Sequence, residues 1–297
     1  MQPEESAVSP PRRLPTPPRG FDARRGAGLS VLAVVAVLAL MVAVRVVVGP
    51  PTGAGRAPAV AGAPVQVVAK TTSVPGAEAA AVGLPKQVAV PVATGATTVL
   101  EADGKPAVTY VGGDYCPFCA AERWALVVAL SRFGTFSGLE ETRSSPTDVY
   151  PLTASFSFAT TRFSSRYVTF LPAELYTNKA APGGGYTPLE TMTPLEAKAF
   201  ATFDTRPYTA TPGAFPFVDV ADQAVVVGAS FTPALLHGLT QTQIAADLSD
   251  PASPVTKAVV GTANYLTAAV CAATGAKPGA VCHAPYVRHA LSRMKLR

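Results

Sequence analysis

Two cysteines separated by two residues form the motif with the clearest chemistry in this chain, Cys116-Pro117-Phe118-Cys119. At the start of a helix, unpaired backbone N–H groups and the positive end of the helix dipole favour a thiolate on the first cysteine. Pro117 fits the first helical turn, because a proline there loses no hydrogen bond. We therefore expect Cys116 to be the nucleophile and Cys119 the resolving thiol, which closes the disulfide and releases a mixed-disulfide partner.

The same pair allows two other interpretations, a disulfide that only stabilises the fold and half of a zinc site. A zinc site needs two further ligands, which Cys282 and His283 could supply. The chain has no second CxxC, however, and its spacing differs from that of common zinc fingers. His237 and His289 have no partner pattern either, so the sequence predicts no metal and no cofactor.

The residues around the CxxC predict a strand before it and a helix after it. The run AVTYVGG, residues 107–113, is β-branched and aromatic and ends in glycines, which indicates a central strand. After the CxxC, AAERWALVVALSRFG has apolar residues at helical spacing, with Gly134 as a plausible C-terminal stop. The order strand, CxxC, helix would hold both cysteines at the end of a sheet.

The rest of the domain also reads as alternating strands and helices. The predictions are short strands in QVAVPV and TTVLEADG, two strands within residues 135–171, a short helix around Pro194 to Phe203, a hairpin from FVDV and AVVVGAS, and helices over Pro233 to Leu248 and Pro254 to Ala273.

An apolar run precedes the domain. Residues 29–48 contain one charge, Arg45, and about 20 helical residues span the hydrocarbon core of a bilayer. We predict a disordered tail over 1–27, a transmembrane helix over 28–48, a flexible linker over 49–81 and the extracytoplasmic domain over 82–297. A cleaved secretory signal is the alternative for the apolar run.

The charges flanking the run predict its orientation. Five arginines precede it, whereas only Arg56 and Lys70 occur in the first stretch after it, so the N-terminus should be cytoplasmic in a single-pass protein of the cell membrane. The net charge of +5 lies largely in this region, because the chain after Arg45 holds 18 basic and 16 acidic residues. A nearly neutral domain argues against a nucleic-acid partner.

Cys271 and Cys282 follow an apolar helix and flank a turn that contains Gly, Lys and Pro. In an oxidising compartment such a pair is expected to form a structural disulfide. The alternative is a second redox pair that relays electrons to or from Cys116, which would require the two pairs to meet.

The block AVTYVGGDYCPFCAAERWALVVALSRFG resembles the strand, active-site turn and helix of thioredoxin-like proteins. Gly113 to Leu139, together with YLTAAVCAATGAKPGAVC, resembles more closely a thioredoxin-like family called domain of unknown function 929. That resemblance covers most of residues 85–285 and implies no established substrate. Residues 215–220 and 225–228 resemble the cis-proline strand of thioredoxin-like proteins and its hairpin partner. This resemblance implies that Pro216 is a cis-proline facing the CxxC; the alternative is a trans proline entering an edge strand.

The chain departs from the thioredoxin pattern in two ways. Tyr110 occupies the position, six residues before Cys116, where thioredoxins often carry a buried acid. Asp114 and Glu122 lie nearby and are the alternatives for a residue that moves the proton of the resolving cysteine, but we expect them to be a solvated charge and a helix-surface residue. The spacing from Cys119 to Pro216 is about twice that of plain thioredoxin, which implies an insertion that could form a lid or a specificity subdomain.

The expected fold is therefore α/β, a thioredoxin-like mixed sheet of four or five strands flanked by helices, with an insertion and one N-terminal transmembrane helix. The expected function is thiol–disulfide exchange on protein thiols and disulfides outside the cytoplasm, with an unidentified redox partner that recharges the CxxC. The alternative is a cell-envelope binding or scaffold protein that keeps the fold and uses its disulfides only for stability.

Overall fold

A computed structural model describes residues 62–297. The predicted tail over 1–27, the predicted transmembrane helix over 28–48 and the first part of the predicted linker lie outside the described residues. None of the helices in 62–297 is long and apolar enough to cross a membrane.

Helices and short strands alternate along the described chain. The helices are α1 (Val65–Thr72), α2 (Gly76–Val82), α3 (Pro117–Leu130), α4 (Pro194–Phe203), α5 (Gln241–Asp247), α6 (Pro254–Ala273), α7 (Gly279–Cys282) and α8 (Pro285–Met294), with a 3-10 turn at Pro233–Leu235. The strands are β1 (Val92–Ala93), β2 (Glu101–Ala102), β3 (Lys105–Gly112), β4 (Gly134–Ser137), β5 (Glu140–Arg143), β6 (Ala154–Ser157), β7 (Arg162–Ser165), β8 (Thr169–Glu174), β9 (Tyr176–Ala180), β10 (Tyr186–Pro188), β11 (Phe217–Val220) and β12 (Ala224–Val227).

A six-stranded mixed sheet forms the centre of the domain. Its strands follow the order β1-β12-β11-β3-β2, and β8 also pairs with β3. The β3–β8 pair is parallel, with Val108 opposite Phe170, whereas β11 is antiparallel to both β3 and β12. The predicted α/β class, with a mixed sheet flanked by helices, is confirmed.

Both faces of β3 are covered, which explains its continuous apolar run. Val108 and Tyr110 point into the larger core, which contains buried residues of α3 and α6. Ala107 and Val111 point to the opposite face, into a smaller core that includes residues of α4. Every residue from Ala107 to Gly112 is buried.

The domain begins earlier than the sequence predicted. The end of the predicted flexible linker, residues 65–81, forms α1 and all but the last residue of α2, and these helices pack against α5 and α6. Asn264 on α6 donates hydrogen bonds to the carbonyl oxygens of Ala79 and Gly83, at 2.9 and 2.8 Å. A composition rich in Ala and Val resembles a linker, but its small side chains allow close helix packing.

The segment between α3 and α4 also differs from the prediction. Residues 134–174 contain five strands rather than two, and four of them form the separate pairs β4–β7 and β5–β6. The predicted helix over Pro233 to Leu248 is split into the 3-10 turn and α5. Gly238 has a φ of 79°, a backbone conformation that interrupts a helix. Helix α5 begins after Thr240, which forms a capping box with Gln243.

Gly134 does not end the CxxC helix, as the sequence predicted. Helix α3 ends at Leu130 with Ser131 as its C-cap, and Gly134 begins β4, opposite Ser165 of β7. A Cβ atom on Gly134 would meet the backbone carbonyl of Ser164 and lie 2.8 Å from the Ser165 Cβ. The glycine therefore permits two strands to approach closely.

We expect Gly134→Ala to lower the free energy of unfolding by about 1–3 kcal/mol, because the added methyl group must push β7 away. Urea unfolding of the purified protein measures the change. Gly183→Ala is the matched control, since no atom lies within 4 Å of its Cβ position. Equal stability of the two variants would contradict this explanation.

Candidate functional site

Cys116 and Cys119 meet at the N-terminus of α3. Cys116 is the N-cap residue, its Sγ accepts a hydrogen bond from the Cys119 amide at 3.4 Å, and Pro117 occupies the first helical position. Cys116 is 7% exposed, whereas Cys119 is fully buried. The two side chains form an unbonded dithiol in which only the first can be reached from solvent.

The two thiols differ in acidity. The pKa of Cys116 is lowered, chiefly by a hydrogen bond from the Cys119 thiol, with the amides of Cys119 and Phe118 and the charge of Arg123 adding to the effect. The pKa of Cys119 is raised well above its ordinary value, first by burial and then by Cys116. Such a pair presents a thiolate at its accessible end and keeps a proton at its buried end.

Arg123 connects the CxxC helix to the sheet. Its Nε and Nη2 donate to the two carboxylate oxygens of Glu174 on β8, at 2.7 and 2.8 Å, and both side chains are fully buried. Its Nη2 also lies 3.5 Å from Oδ1 of Asp114. Neither Arg123 nor Glu174 is recognisable as a site residue from the sequence, because their pairing across 51 residues leaves no local pattern.

Tyr110 lies directly behind the buried thiol. A Cβ atom on Gly112 would clash with the Tyr110 hydroxyl and lie 3.0 Å from Cys119 Sγ. The hydroxyl and the thiol therefore both lie next to this glycine. The Tyr110 ring packs edge-on against Phe158 at 5.2 Å, and the Arg123 guanidinium lies 5.9 Å from its centroid. Tyr110 thus occupies buried space next to Cys119.

Asp114 and Glu122 are both buried, and the prediction that they are solvated or on a helix surface is wrong. Burial raises the pKa of Asp114 to about 6, while Arg123 acts against the rise and Ser157 donates a hydrogen bond. Burial raises the pKa of Glu122 to about 7, although it accepts hydrogen bonds from the amide and hydroxyl of Ser230. Helix α3 buries every residue except Phe118, so it offers no solvated face.

Pro216 lies at the same end of the sheet as the dithiol. The Phe215–Pro216 peptide bond is cis. The next residue, Phe217, pairs with Val111 on β3, which places Pro216 across from Gly112. The Pro216 carbonyl accepts a hydrogen bond from Gly228 at 2.8 Å.

An aromatic pocket of about 460 Å³ adjoins Tyr115, the residue before Cys116. It is lined by Tyr115, Tyr176, Gly184, Gly185, Tyr186 and Phe215. The rings of Tyr115 and Tyr186 stack at 4.1 Å. Tyr115 precedes Cys116 and Phe215 precedes Pro216, whereas the other four residues come from the β9–β10 hairpin. The sequence predicted an insertion here but not its aromatic lining.

Cys271 and Cys282 form the predicted disulfide, with a Cα–Cα distance of 5.5 Å. Cys282 is therefore not available for the zinc site of the alternative interpretation. Thr267, one turn before Cys271, accepts a hydrogen bond from Arg132 just beyond the C-terminal end of α3. Because α3 has 14 residues and is about 21 Å long, the disulfide lies far from Cys116, which argues against a relay between the pairs.

We expect Cys116 to be alkylated with an apparent pKa below the ordinary thiol value of about 8.5. Cys119→Ala should move that pKa upward, because it removes the hydrogen bond that lowers it most. Iodoacetamide labelling across pH, read by mass spectrometry, measures both values. Cys116→Ser is the control for the labelled position, and a wild-type value at or above 8.5 would show that the site does not activate the thiol.

Part of the chain is similar to a known protein family. Neither the curated proteins nor the solved structures include a match. A family model described as "Domain of unknown function (DUF929)" matches residues 96–193, a segment that contains β3, the CxxC and the β9–β10 hairpin but ends before Pro216. Over this segment the match agrees with the resemblance of the sequence to the DUF929 family.

Proposed function

We propose that this protein is a membrane-anchored thiol–disulfide oxidoreductase that acts on protein thiols and disulfides outside the cytoplasm. The observation that carries the proposal is the asymmetry of the dithiol. The accessible Cys116 has a lowered pKa, whereas the buried Cys119 has a raised one. A disulfide that only stabilises a fold needs no such difference between its two sulfurs.

The strand order supports a thioredoxin-like fold. Strand β3 leads into the CxxC helix, β8 returns parallel to β3, and the hairpin β11–β12 then pairs antiparallel along the other side of β3. Pro216 enters this hairpin at the dithiol end of the sheet. Relative to a thioredoxin fold, the predicted insertion lies between α3 and β11. This segment contains the additional strands and α4.

The proposed reaction is a two-step exchange. The Cys116 thiolate attacks one sulfur of a substrate disulfide, a mixed disulfide forms, and the other substrate sulfur leaves as a thiolate. Cys119 then attacks Cys116 Sγ, and the bond between Cys116 and the substrate breaks. The dithiol loses two electrons and the substrate gains them. Run in reverse the steps oxidise a substrate dithiol, and a separate redox partner restores the starting state of the CxxC.

The surroundings of Cys116 favour a polypeptide substrate. Phe118, Val149 and Leu152 are exposed apolar residues, with 37%, 65% and 49% of their surface accessible, and Phe118 packs edge-on against Tyr150. The aromatic pocket is lined by Tyr115, the residue before Cys116, and has no charged residue in its lining. Apolar surface around a reactive thiol suits an extended chain whose cysteine is flanked by apolar side chains.

Attachment to the membrane through residues 29–48, with the domain outside the cytoplasm, is part of the proposal. Its support is the apolar run with its flanking arginines, together with the Cys271–Cys282 disulfide. Disulfides of this kind persist in oxidising compartments. Accessibility of the domain in intact cells to a membrane-impermeant label would test the placement.

The central test is the reduction potential of the Cys116–Cys119 pair in the purified protein, measured by equilibration with glutathione buffers. We expect a value above about −300 mV, because structural disulfides typically lie below it. In exchange assays, Cys116→Ser should be inactive and Cys119→Ser should accumulate mixed disulfides. The double variant Cys271→Ser, Cys282→Ser is the control that keeps the exchange site. A potential below −300 mV without exchange would favour the binding or scaffold protein.

We expect Tyr176→Ala to raise the KM for a protein disulfide about fivefold to tenfold, since an aromatic contact contributes about 1 kcal/mol. The rate with a small aromatic disulfide reagent should stay within twofold, because Cys116 itself is unchanged. Leu189→Ala is the control, an exposed apolar residue outside the pocket. A Tyr176→Ala variant with normal kinetics toward proteins would exclude the pocket as a substrate contact.

A further inference from the structure

The cluster behind Cys119 contains buried polar atoms without hydrogen-bond partners. Within residues 62–297 these include the Tyr110 hydroxyl, Asp114 Oδ1 and Arg123 Nη1. A buried polar group left unpaired costs about 1–3 kcal/mol, and folded proteins contain few of them. Asp114 and Arg123 also form the ion pair described above, so the Tyr110 hydroxyl is the member of this cluster that has neither a hydrogen bond nor an ion pair.

The Tyr110 hydroxyl is the group placed to act on the thiol. The hydroxyl and Cys119 Sγ both lie against Gly112, where an added Cβ atom would clash with the hydroxyl and lie 3.0 Å from the sulfur. Its pKa is raised well above the ordinary value, first by burial, with Cys119 and Glu174 adding to the rise and Arg123 opposing it. The hydroxyl therefore keeps its proton and remains a hydrogen-bond donor.

The orientation of Tyr110 is restricted by its neighbours. Phe158 packs edge-on against the ring, and Arg123, held in two hydrogen bonds by Glu174, lies 5.9 Å from its centroid. Tyr110 is fully buried on β3. A donor held in place before the reaction stabilises charge without reorganisation when that charge appears.

We propose that Tyr110 is a catalytic residue whose hydroxyl donates a hydrogen bond to the Cys119 thiolate formed during the resolving step. This inference rests on the proposed function. As Cys119 loses its proton, negative charge develops on Sγ, and the hydroxyl gains the acceptor that it lacks in the dithiol. Cys119 then forms the bond to Cys116 Sγ, the Cys116–substrate bond breaks, and the released substrate thiolate takes up a proton in place of the one that Cys119 lost.

The charges that face Cys119 act in both directions. Arg123 on α3 favours the Cys119 thiolate, whereas Cys116 at the helix N-cap and Glu174 on β8 disfavour it. Asp114 in the loop before the CxxC lies 3.5 Å from Arg123 and partly compensates its charge. Because Arg123 is shared with two carboxylates, it is not a dedicated counter-ion for the thiolate, and a neutral donor beside Sγ has a distinct role.

Reaction of the reduced full-length protein with Ellman's reagent separates the two steps in one stopped-flow trace. The first thionitrobenzoate is released when Cys116 attacks, and the second when Cys119 resolves the mixed disulfide. The first phase tests the proposed function and the second tests the role of Tyr110. A wild-type protein without a fast first phase would refute the function itself, whatever Tyr110 does.

Tyr110→Phe removes only the hydroxyl and keeps the ring. We expect its first phase to stay within twofold of wild type and its second phase to slow about tenfold or more, as for loss of a hydrogen bond to a charged group. The pH midpoint of the second phase should also move upward, a change that a general loss of stability would not cause.

Tyr265→Phe is the matched control, because Tyr265 is also fully buried, also has an unpaired hydroxyl and also faces an arginine, Arg293, but lies on α6. Its two phases should match wild type. A second phase in Tyr110→Phe within twofold of wild type, with an unchanged pH midpoint, would overturn the inference and leave the proposed function standing. An equal slowing of both phases, or the same change in Tyr265→Phe, would also overturn it.

Discussion

The buried ion pair between Arg123 and Glu174 is the interaction on which the arrangement of the site depends. It joins the CxxC helix to β8 by two hydrogen bonds where both side chains are fully buried. A buried pair of this kind adds little net stability relative to an apolar contact, but removal of one partner is strongly destabilising because the other charge is left alone. The pair therefore constrains which strand faces the helix more than it strengthens the fold. Glu174 also accepts a hydrogen bond from the Phe158 amide, which extends the constraint to the segment after β6.

Two short-range features of the helix N-terminus then distinguish the two thiols. Cys116 is the N-cap residue of the helix, and its Sγ accepts a hydrogen bond from the Cys119 amide. Cys119 lies inside the first turn, with the sheet behind it. At Cys116 hydrogen bonds outweigh burial and lower the pKa, whereas at Cys119 burial raises the pKa and the hydrogen bond to Cys116 raises it further. The same helix that favours a thiolate at its end thus buries the partner thiol one turn later.

The β9–β10 hairpin gives the site a wall that the central sheet does not provide. It brings Tyr176 and Tyr186 against Tyr115, the residue before the first cysteine. The Asp114 amide donates a hydrogen bond to the Tyr176 carbonyl oxygen at 2.9 Å. The hairpin is therefore attached to the CxxC loop through the backbone as well. This attachment couples the pocket to the loop that precedes the reactive thiol.

The sequence by itself determined the features that depend on near neighbours. The CxxC at a helix start, the β11–β12 hairpin, α4, α6 and the Cys271–Cys282 disulfide follow from turn residues, periodicity and short spacing, and all are present. Only the tertiary structure decided the environment of the site. Arg123 pairs with Glu174 across 51 residues. Tyr110 can lie near Cys119 because Gly112 has no side chain. Asp114 and Glu122 are buried by elements distant in sequence. The physical reason is that periodicity and capping act within a few residues, whereas the burial of a charge depends on which distant segments pack against it.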